Sequence, residues 1–192
     1  MSAADAPPSS SPSPSPAPTA SETEAALWLP TTPQQGQQTD ALEALRAVPL
    51  FAELSTGQLK KVARLLHHRT YQPGEVVFRE GDPGAGMYLI HHGAVRIVIR
   101  LPDGAERELA VLTDRHFFGE MALLEEAPRS ASAVAVQRTE LLGFFQPDLE
   151  SLVERDSRLG SLILWNLARL MASRLRATNE AMKAQRQAGG GR

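Results

Sequence analysis

No cysteine occurs among the 192 residues, which removes any disulfide framework, thiol nucleophile, thiolate zinc site or iron–sulfur cluster. Lysine and arginine are absent before Arg46, and no apolar h-region precedes that residue, which argues against a secretory signal. No apolar run reaches the roughly 18–20 residues of a membrane span, because the stretch 159–171 is broken by Asn166 and Arg169. These absences predict a soluble, cytoplasmic protein with no membrane partner.

Eight of the 14 prolines fall before residue 34, residues 1–20 alternate Ser, Pro and Ala, and 34–38 read Gln-Gln-Gly-Gln-Gln. Such composition buries too little apolar surface to offset ordering entropy, so residues 1–38 are predicted to be a disordered tail. One apolar island, Ala-Ala-Leu-Trp-Leu-Pro at 25–30 with Trp28 at its centre, interrupts it. It is either a docking peptide for a protein effector or a segment that packs on the domain itself. The net charge of −2 conceals an asymmetry. Residues 1–38 carry Asp5, Glu22 and Glu24 with no base, giving −3, whereas from Arg158 onward seven bases face Glu180 alone, giving +6. A basic C-terminal helix meets a phosphate or acidic partner, or simply presents a solvated face with a favourable macrodipole.

From Asp40 the apolar spacing turns helical, with Leu42, Leu45 and Val48 on one face, ending near Pro49. Ser55 or Thr56 caps a second helix through Leu59, Val62, Ala63, Leu65 and Leu66. Short strand-like runs follow at 75–79, 87–91, 95–101, 107–113, 132–137 and 140–144, separated by Pro73-Gly74, the turn 81–84, Gly93 and Pro102-Asp103-Gly104. This pattern predicts a β-sandwich or roll rather than a parallel sheet. After Pro147 a short helix runs to about Asp156, and a long one from Ser157 to about Gln187. The predicted fold class is mainly β with flanking α: a double-stranded β-helix (jelly-roll) with N-terminal helices and a long C-terminal helix. The domain division is 1–38 tail, 39–156 roll with its N-terminal helices, 157–187 lid and dimerisation helix, and 188–192 flexible glycine tail.

The segment 118–132 carries the chemistry. A strand ends at Gly119 and a single helical turn begins at Glu120, leaving the N–H groups of Met121 and Ala122 unpaired at a helix N-terminus, a ready site for an anion. Arg129 follows a proline, and its planar fork holds two phosphate oxygens; the Ser130 hydroxyl and Ala131 N–H add neutral donors. Glu120 is out of place beside a phosphate unless it meets a hydroxyl donor, which a ribose 2′-OH supplies. A sugar-hydroxyl acceptor beside a phosphate clamp describes a site for a ribonucleoside cyclic phosphate. The competing reading is a loop with a surface Glu–Arg pair, which is worth little.

Residues 118–123 (Phe-Gly-Glu-Met-Ala-Leu) and 128–131 (Pro-Arg-Ser-Ala) resemble, without a gap, the phosphate-binding cassette of the cyclic-nucleotide-binding domain family. That family includes the bacterial cyclic AMP receptor proteins and the regulatory subunits of cyclic-AMP-dependent kinase. The turn around Gly81, the strand 87–90 and Gly93 also fit, and the resemblance covers about residues 42–182. It implies that Gly119, Glu120, Met121, Ala122, Arg129, Ser130 and Ala131 form a phosphate and ribose shell. It further implies that Ile97 and Leu109, on the inward face of the roll, pack on the base, and that Arg174, Thr178 and Asn179 lie near the purine. The implied ligand is cyclic AMP, with cyclic GMP the alternative, and neither cofactor nor metal is required. Two departures matter: the chain stops at Arg192 without the helix-turn-helix of the bacterial receptors, and the tail lacks a basic inhibitor sequence. A stand-alone sensor, with no specific DNA binding, is the expectation.

The last helix has two faces. Leu159, Ile163, Leu167 and Leu170 should pack on the roll. Leu164, Ala168, Met171, Leu175, Thr178 and Met182 step at the 3.5-residue period of a coiled-coil seam and predict a homodimer, unless both series form one broad core stripe. Trp165, between the faces, either caps the base or packs ordinarily. The function expected is a regulatory protein, not an enzyme, that moves this helix against a partner. A cupin-type enzyme needs a His-x-His set, whereas His67-His68 and His91-His92 are adjacent and face opposite sides of a strand. The remaining alternative is a scaffold with a degenerate pocket, opposed by the presence of both Glu120 and Arg129, since a buried charge without its ligand is costly.

Overall fold

The structure, a computed structural model, describes residues 35–189. In chain order the elements are α1 (Gln35–Ala47), α2 (Thr56–Ala63), β1 (His67–Tyr71), β2 (Val76–Phe78), β3 (Gly86–His92), β4 (Ala94–Arg100) and β5 (Glu106–Thr113). There follow β6 (Phe117–Phe118), a 3₁₀ turn (Glu120–Leu123), β7 (Ser132–Ala135), β8 (Thr139–Phe145), α3 (Gln146–Arg155) and α4 (Ser157–Gly189). The expected class is the one observed, mainly β with flanking helices and a long C-terminal helix. Ser55 is the cap of α2, its hydroxyl accepting from the Gln58 N–H while the Gln58 side chain returns to the Ser55 N–H.

Two four-stranded antiparallel sheets, β1-β8-β3-β6 and β2-β7-β4-β5, face each other. Tyr71, Tyr88, Ile90, Val95, Phe118, Ala133, Leu141 and Phe145 fill the space between them. The opposite face of the first sheet, with Met87, Leu89, Leu142 and Phe144, is covered by the apolar stripes of all four helices, including Leu45, Leu59, Leu149, Leu159, Ile163 and Leu167. Strand β3 therefore buries both faces, which is why 86–90 reads as a continuous apolar run instead of alternating.

The structure differs from the sequence expectation at three places. Helix α1 starts at Gln35, inside the segment assigned to the tail. Strand β1 is absent from the expected set because His-His-Arg-Thr-Tyr carries little apolar periodicity; its pairing with β8, from His67↔Gly143 to Tyr71↔Thr139, holds it in the sheet. In the β4–β5 ladder Ile97 pairs Ala110 while the next residue, Val98, pairs Glu108, so Leu109 is the extra residue of a bulge. The rest of the tail, residues 1–34 with the island around Trp28, and residues 190–192 lie outside the described residues. Among the described residues, no helix is long and apolar enough to cross a membrane.

Candidate functional site

Strand β6 pairs with β3 through Tyr88↔Phe118 and Leu89↔Phe117, and the chain leaves it at Gly119, which lies on the cavity lining. Gly119 has φ 77°, which favours glycine, and a Cβ there would sit 2.7 Å from Arg129 Nη1 and so displace the guanidinium. The 3₁₀ turn from Glu120 follows at once, with the Ala122 N–H donating to the Gly119 carbonyl at 3.2 Å. Arg129 arrives along the 81–84 turn: its N–H donates to the Asp82 carbonyl at 2.8 Å and its carbonyl accepts from the Gly81 N–H at 2.8 Å. An isolated antiparallel bridge between Pro83 and Pro128 completes this pinning.

The two charged side chains turn inward. Glu120 is 3% exposed and Arg129 6% exposed. Arg129 Nη1 donates to the Gly119 carbonyl at 3.2 Å, and its Cζ lies 4.2 Å from the Phe78 ring centroid and 5.5 Å from that of Tyr88. Both residues border a cavity of about 330 Å³, whose lining takes in Gly119, Met121, Ala122, Ser130 and Ala131. That volume lies at the lower end of the range for small-molecule sites, ~300–1,000 Å³. A carboxylate acceptor and a guanidinium donor across one concave surface suit a ligand that presents both an anionic group and a hydroxyl.

Of the residues assigned to the base, the structure brings only some to the cavity. Ile97 lines it. Leu109 does not: the bulge turns it away, 52% exposed, and Leu112 from the same strand borders the cavity instead. Arg174 of α4 reaches the cavity but lies against Glu120, its Nη1 donating to Glu120 Oε1, with its Cζ 5.2 Å from the Phe117 centroid. Thr178 and Asn179 are exposed and outside the lining, and the Thr178 hydroxyl donates to the Arg174 carbonyl at 3.0 Å. Phe78, Leu112 and Phe117 were missed by sequence reasoning. Only Phe117, next to the cassette, carried a signal that could have revealed it.

Helix α4 joins this site to the helical layer. Leu159, Ile163 and Leu167 are fully buried, and Asn166 donates from Nδ2 to the Leu50 carbonyl at 3.1 Å. Beyond Met171 every α4 side chain with an assigned exposure is exposed, and Trp165, Leu175 and Met182 are 66%, 62% and 45% exposed. Asp156 caps the start of α4 through the Leu159 N–H and accepts from Lys61 Nζ at 2.6 Å. Among the described residues no group of three His, Asp or Glu is placed to hold a metal ion.

Residues 68–156 match the cyclic nucleotide-binding domain. The cyclic AMP receptor protein of Thermus thermophilus is 41% identical over 132 residues, which are 69% of this chain and 59% of that protein. The N-terminal domain of a transcriptional regulator from Streptomyces coelicolor superposes with a TM-score of 0.65 at 34% identity, over 72% of this chain and 94% of that one. The chain belongs to the cyclic nucleotide-binding domain family. The crystal structure of the Thermus thermophilus catabolite activator protein, another family member, matches at a TM-score of 0.66 and 39% identity, covering 72% of this chain and 63% of that one. This chain therefore spans less than two thirds of the length of the Thermus proteins it resembles. The family match ends at residue 156, so α4, which carries Arg174 to Glu120, lies beyond it.

Proposed function

We propose that this chain binds a cyclic nucleotide, cyclic AMP in preference to cyclic GMP, between Glu120 and Arg129, and that it signals through α4 as a regulatory protein. The observation that carries the proposal is that Glu120 and Arg129, both buried, border one cavity while Arg174 of α4 holds the Glu120 carboxylate. Arg129, the Ser130 hydroxyl and the N–H groups of Met121 and Ala131 take the cyclic phosphate, whereas the Ala122 N–H, expected to join them, already donates to the Gly119 carbonyl; Glu120 accepts from the ribose 2′-OH. That hydroxyl competes with Arg174 for the same carboxylate. A ligand shifts a conformational equilibrium only through contacts that differ between states, and the Arg174–Glu120 pair is such a contact. Ile97, Leu112 and Phe117 supply the apolar side for the base. The preference for cyclic AMP follows from the likeness to cyclic AMP receptor proteins, because Thr178 and Asn179 can each donate or accept.

The exposed stripe of Leu175 and Met182, continued by half-buried Leu164 and Met171, pairs with its twin in a homodimer. Across that seam Thr178 and Asn179 come within reach of a purine held by either chain. The effector is a protein, and DNA is not bound sequence-specifically. Calorimetric titration of the chain with cyclic AMP and cyclic GMP tests the proposal: saturable binding of either supports the site, and tighter binding of cyclic GMP reverses the preference alone. A second reading, the scaffold, draws on the same pair: Arg174 gives the Glu120 carboxylate a partner within the chain, so burial of Glu120 by itself does not call for a ligand, and the case for one rests on Arg129 and the shared cavity. Absence of binding in the titration decides for the scaffold.

A further inference from the structure

The Arg129 guanidinium lies against aromatic faces. Phe78 is nearest, with the arginine Cζ 4.2 Å from its centroid. Phe78, Tyr88 and Phe118 form a three-ring cluster: Phe78 lies 5.7 Å from Tyr88 and 5.8 Å from Phe118, and Tyr88 stacks on Phe118 at 5.4 Å. Tyr88 and Phe118 are buried, so the cluster is anchored in the core between the sheets, and Phe78 and Phe118 both reach the cavity lining.

The backbone explains how Phe78 gets there. Strand alternation would put Val76 and Phe78 on one face, with Val77 on the other. In β2, however, Val76 pairs Val134 while Phe78 pairs the adjacent Ala133, so Val77 is an inserted residue. Ala133 faces the space between the sheets, and the bulge turns Phe78 to that side as well. An aromatic face attracts a guanidinium through its quadrupole and fixes its plane without bringing a full negative charge to the place where a phosphate must bind.

We infer that Phe78 is a positioning residue of the anion clamp, an aromatic shelf, aimed by the bulge at Val77, that helps hold the Arg129 fork in its binding orientation. This inference rests on the cyclic-nucleotide reading of the cavity.

The test compares the wild-type chain with Phe78→Leu, Phe78→Tyr and a chain carrying pentafluorophenylalanine at position 78. The fluorinated ring nearly keeps the size and apolar character of the original and reverses its quadrupole, so it guards against a leucine variant that folds poorly. Titration with cyclic AMP should show the leucine and pentafluoro proteins about 3- to 30-fold weaker, and the tyrosine protein within about twofold of wild type. The Arg129 Nε–H proton resonance, assigned by its loss in Arg129→Lys, should lie upfield in wild type and Phe78→Tyr and relax downfield in Phe78→Leu. Equal affinity of the pentafluoro and wild-type proteins overturns the shelf. A wild-type chain that binds no cyclic nucleotide overturns the proposed function instead. The Arg129 resonance then decides the shelf alone, an unshifted wild-type signal rejecting it.

Discussion

Glu120 and Arg129 at one end of the cavity come from a single stretch of chain, fixed by the 3₁₀ turn, by Gly119 and by backbone bonds to the 81–84 turn. The rest of the lining is built differently: Ile97, Leu112 and Arg174 come from β4, β5 and α4, and Arg174, although it meets Glu120 directly, gets there only by the way a helix outside the matched domain packs. The first end is preorganised by short-range structure and should govern affinity. The second is assembled from distant elements and should govern what binding does to the rest of the molecule. On the proposed function, a site divided in this way should respond to a ligand at the rigid end and report it at the adjustable one.

The largest effect expected is at the rigid end. Arg129→Ala should remove binding of cyclic nucleotide, since losing one partner of a buried charge-assisted contact costs about 2–5 kcal/mol, roughly 30-fold to several thousandfold in affinity. The fold should survive, because the backbone bonds of residue 129 to Gly81 and Asp82 do not involve its side chain. Glu120→Ala should cost about 1.5–3 kcal/mol, the range for hydrogen bonds to charged groups. Wild-type protein should lose the same amount with a 2′-deoxy ligand, and the variant should no longer distinguish ribo from deoxy. If titration of Glu120→Ala still shows the wild-type difference between the two ligands, Glu120 does not read the hydroxyl.

This division also governs how much could be read from the sequence. The placement of the segment 118–131 beside the cavity is legible because it follows from contiguous backbone: a glycine with positive φ, a helical turn, and an arginine after proline. The division into two helices, a β-roll and two further helices is legible from apolar period and glycine turns. Leu109 is not, because a single bulge shifts the register and hands its place to Leu112, and no local residue type announces a bulge. The bulge that aims Phe78 is hidden for the same reason. The position of Arg174 depends on how α4 packs through Leu159, Ile163 and Leu167, and helical spacing identifies the buried face without saying which cavity the next turn reaches.

At the adjustable end the effects on affinity should be smaller. The Arg174 side chain is about half exposed, so solvent weakens its pair with Glu120 and can take over part of its role, although the carboxylate is buried. Arg174→Ala should therefore change affinity less than about fivefold, while abolishing any ligand-dependent change at α4. Fluorescence of exposed Trp165 on the same helix reads that change. If Arg174→Ala destroys binding as Arg129→Ala does, the two ends are not distinct. Met171→Asp should split the homodimer in light scattering and weaken cyclic AMP only through lost base contacts. An unchanged affinity in that variant means that the helix is no lid.

The smallest effect lies outside the cavity, and it separates the stability of the scaffold from the function of the site. Burial holds the His68 ring below the ordinary histidine value of 6.5, with His91 and His67 adding to the shift and Glu140 opposing it. The folded chain thus binds this proton less readily than the unfolded chain. Stability is complete above the unfolded value and falls as pH drops through the lowered folded value. Asp156 titrates in a separate, more acidic window. The hydrogen bond from Lys61, followed by that from the Leu159 N–H, holds its carboxyl below 3.8, so the cap on α4 persists until pH falls through that depressed value. Thermal melting on acidification should decline first across the histidine range, and His68→Gln should flatten that first decline while leaving the later one. His68 borders a recess with Arg69, Thr70, His91, Arg138 and Glu140, none of which lines the cavity, so His68→Gln should bind cyclic AMP as tightly as wild type at neutral pH. A variant whose melting still follows the wild-type curve places the acid sensitivity elsewhere. One whose affinity falls would couple the outer face of the first sheet to the rigid end, which the short-range construction of that end does not allow.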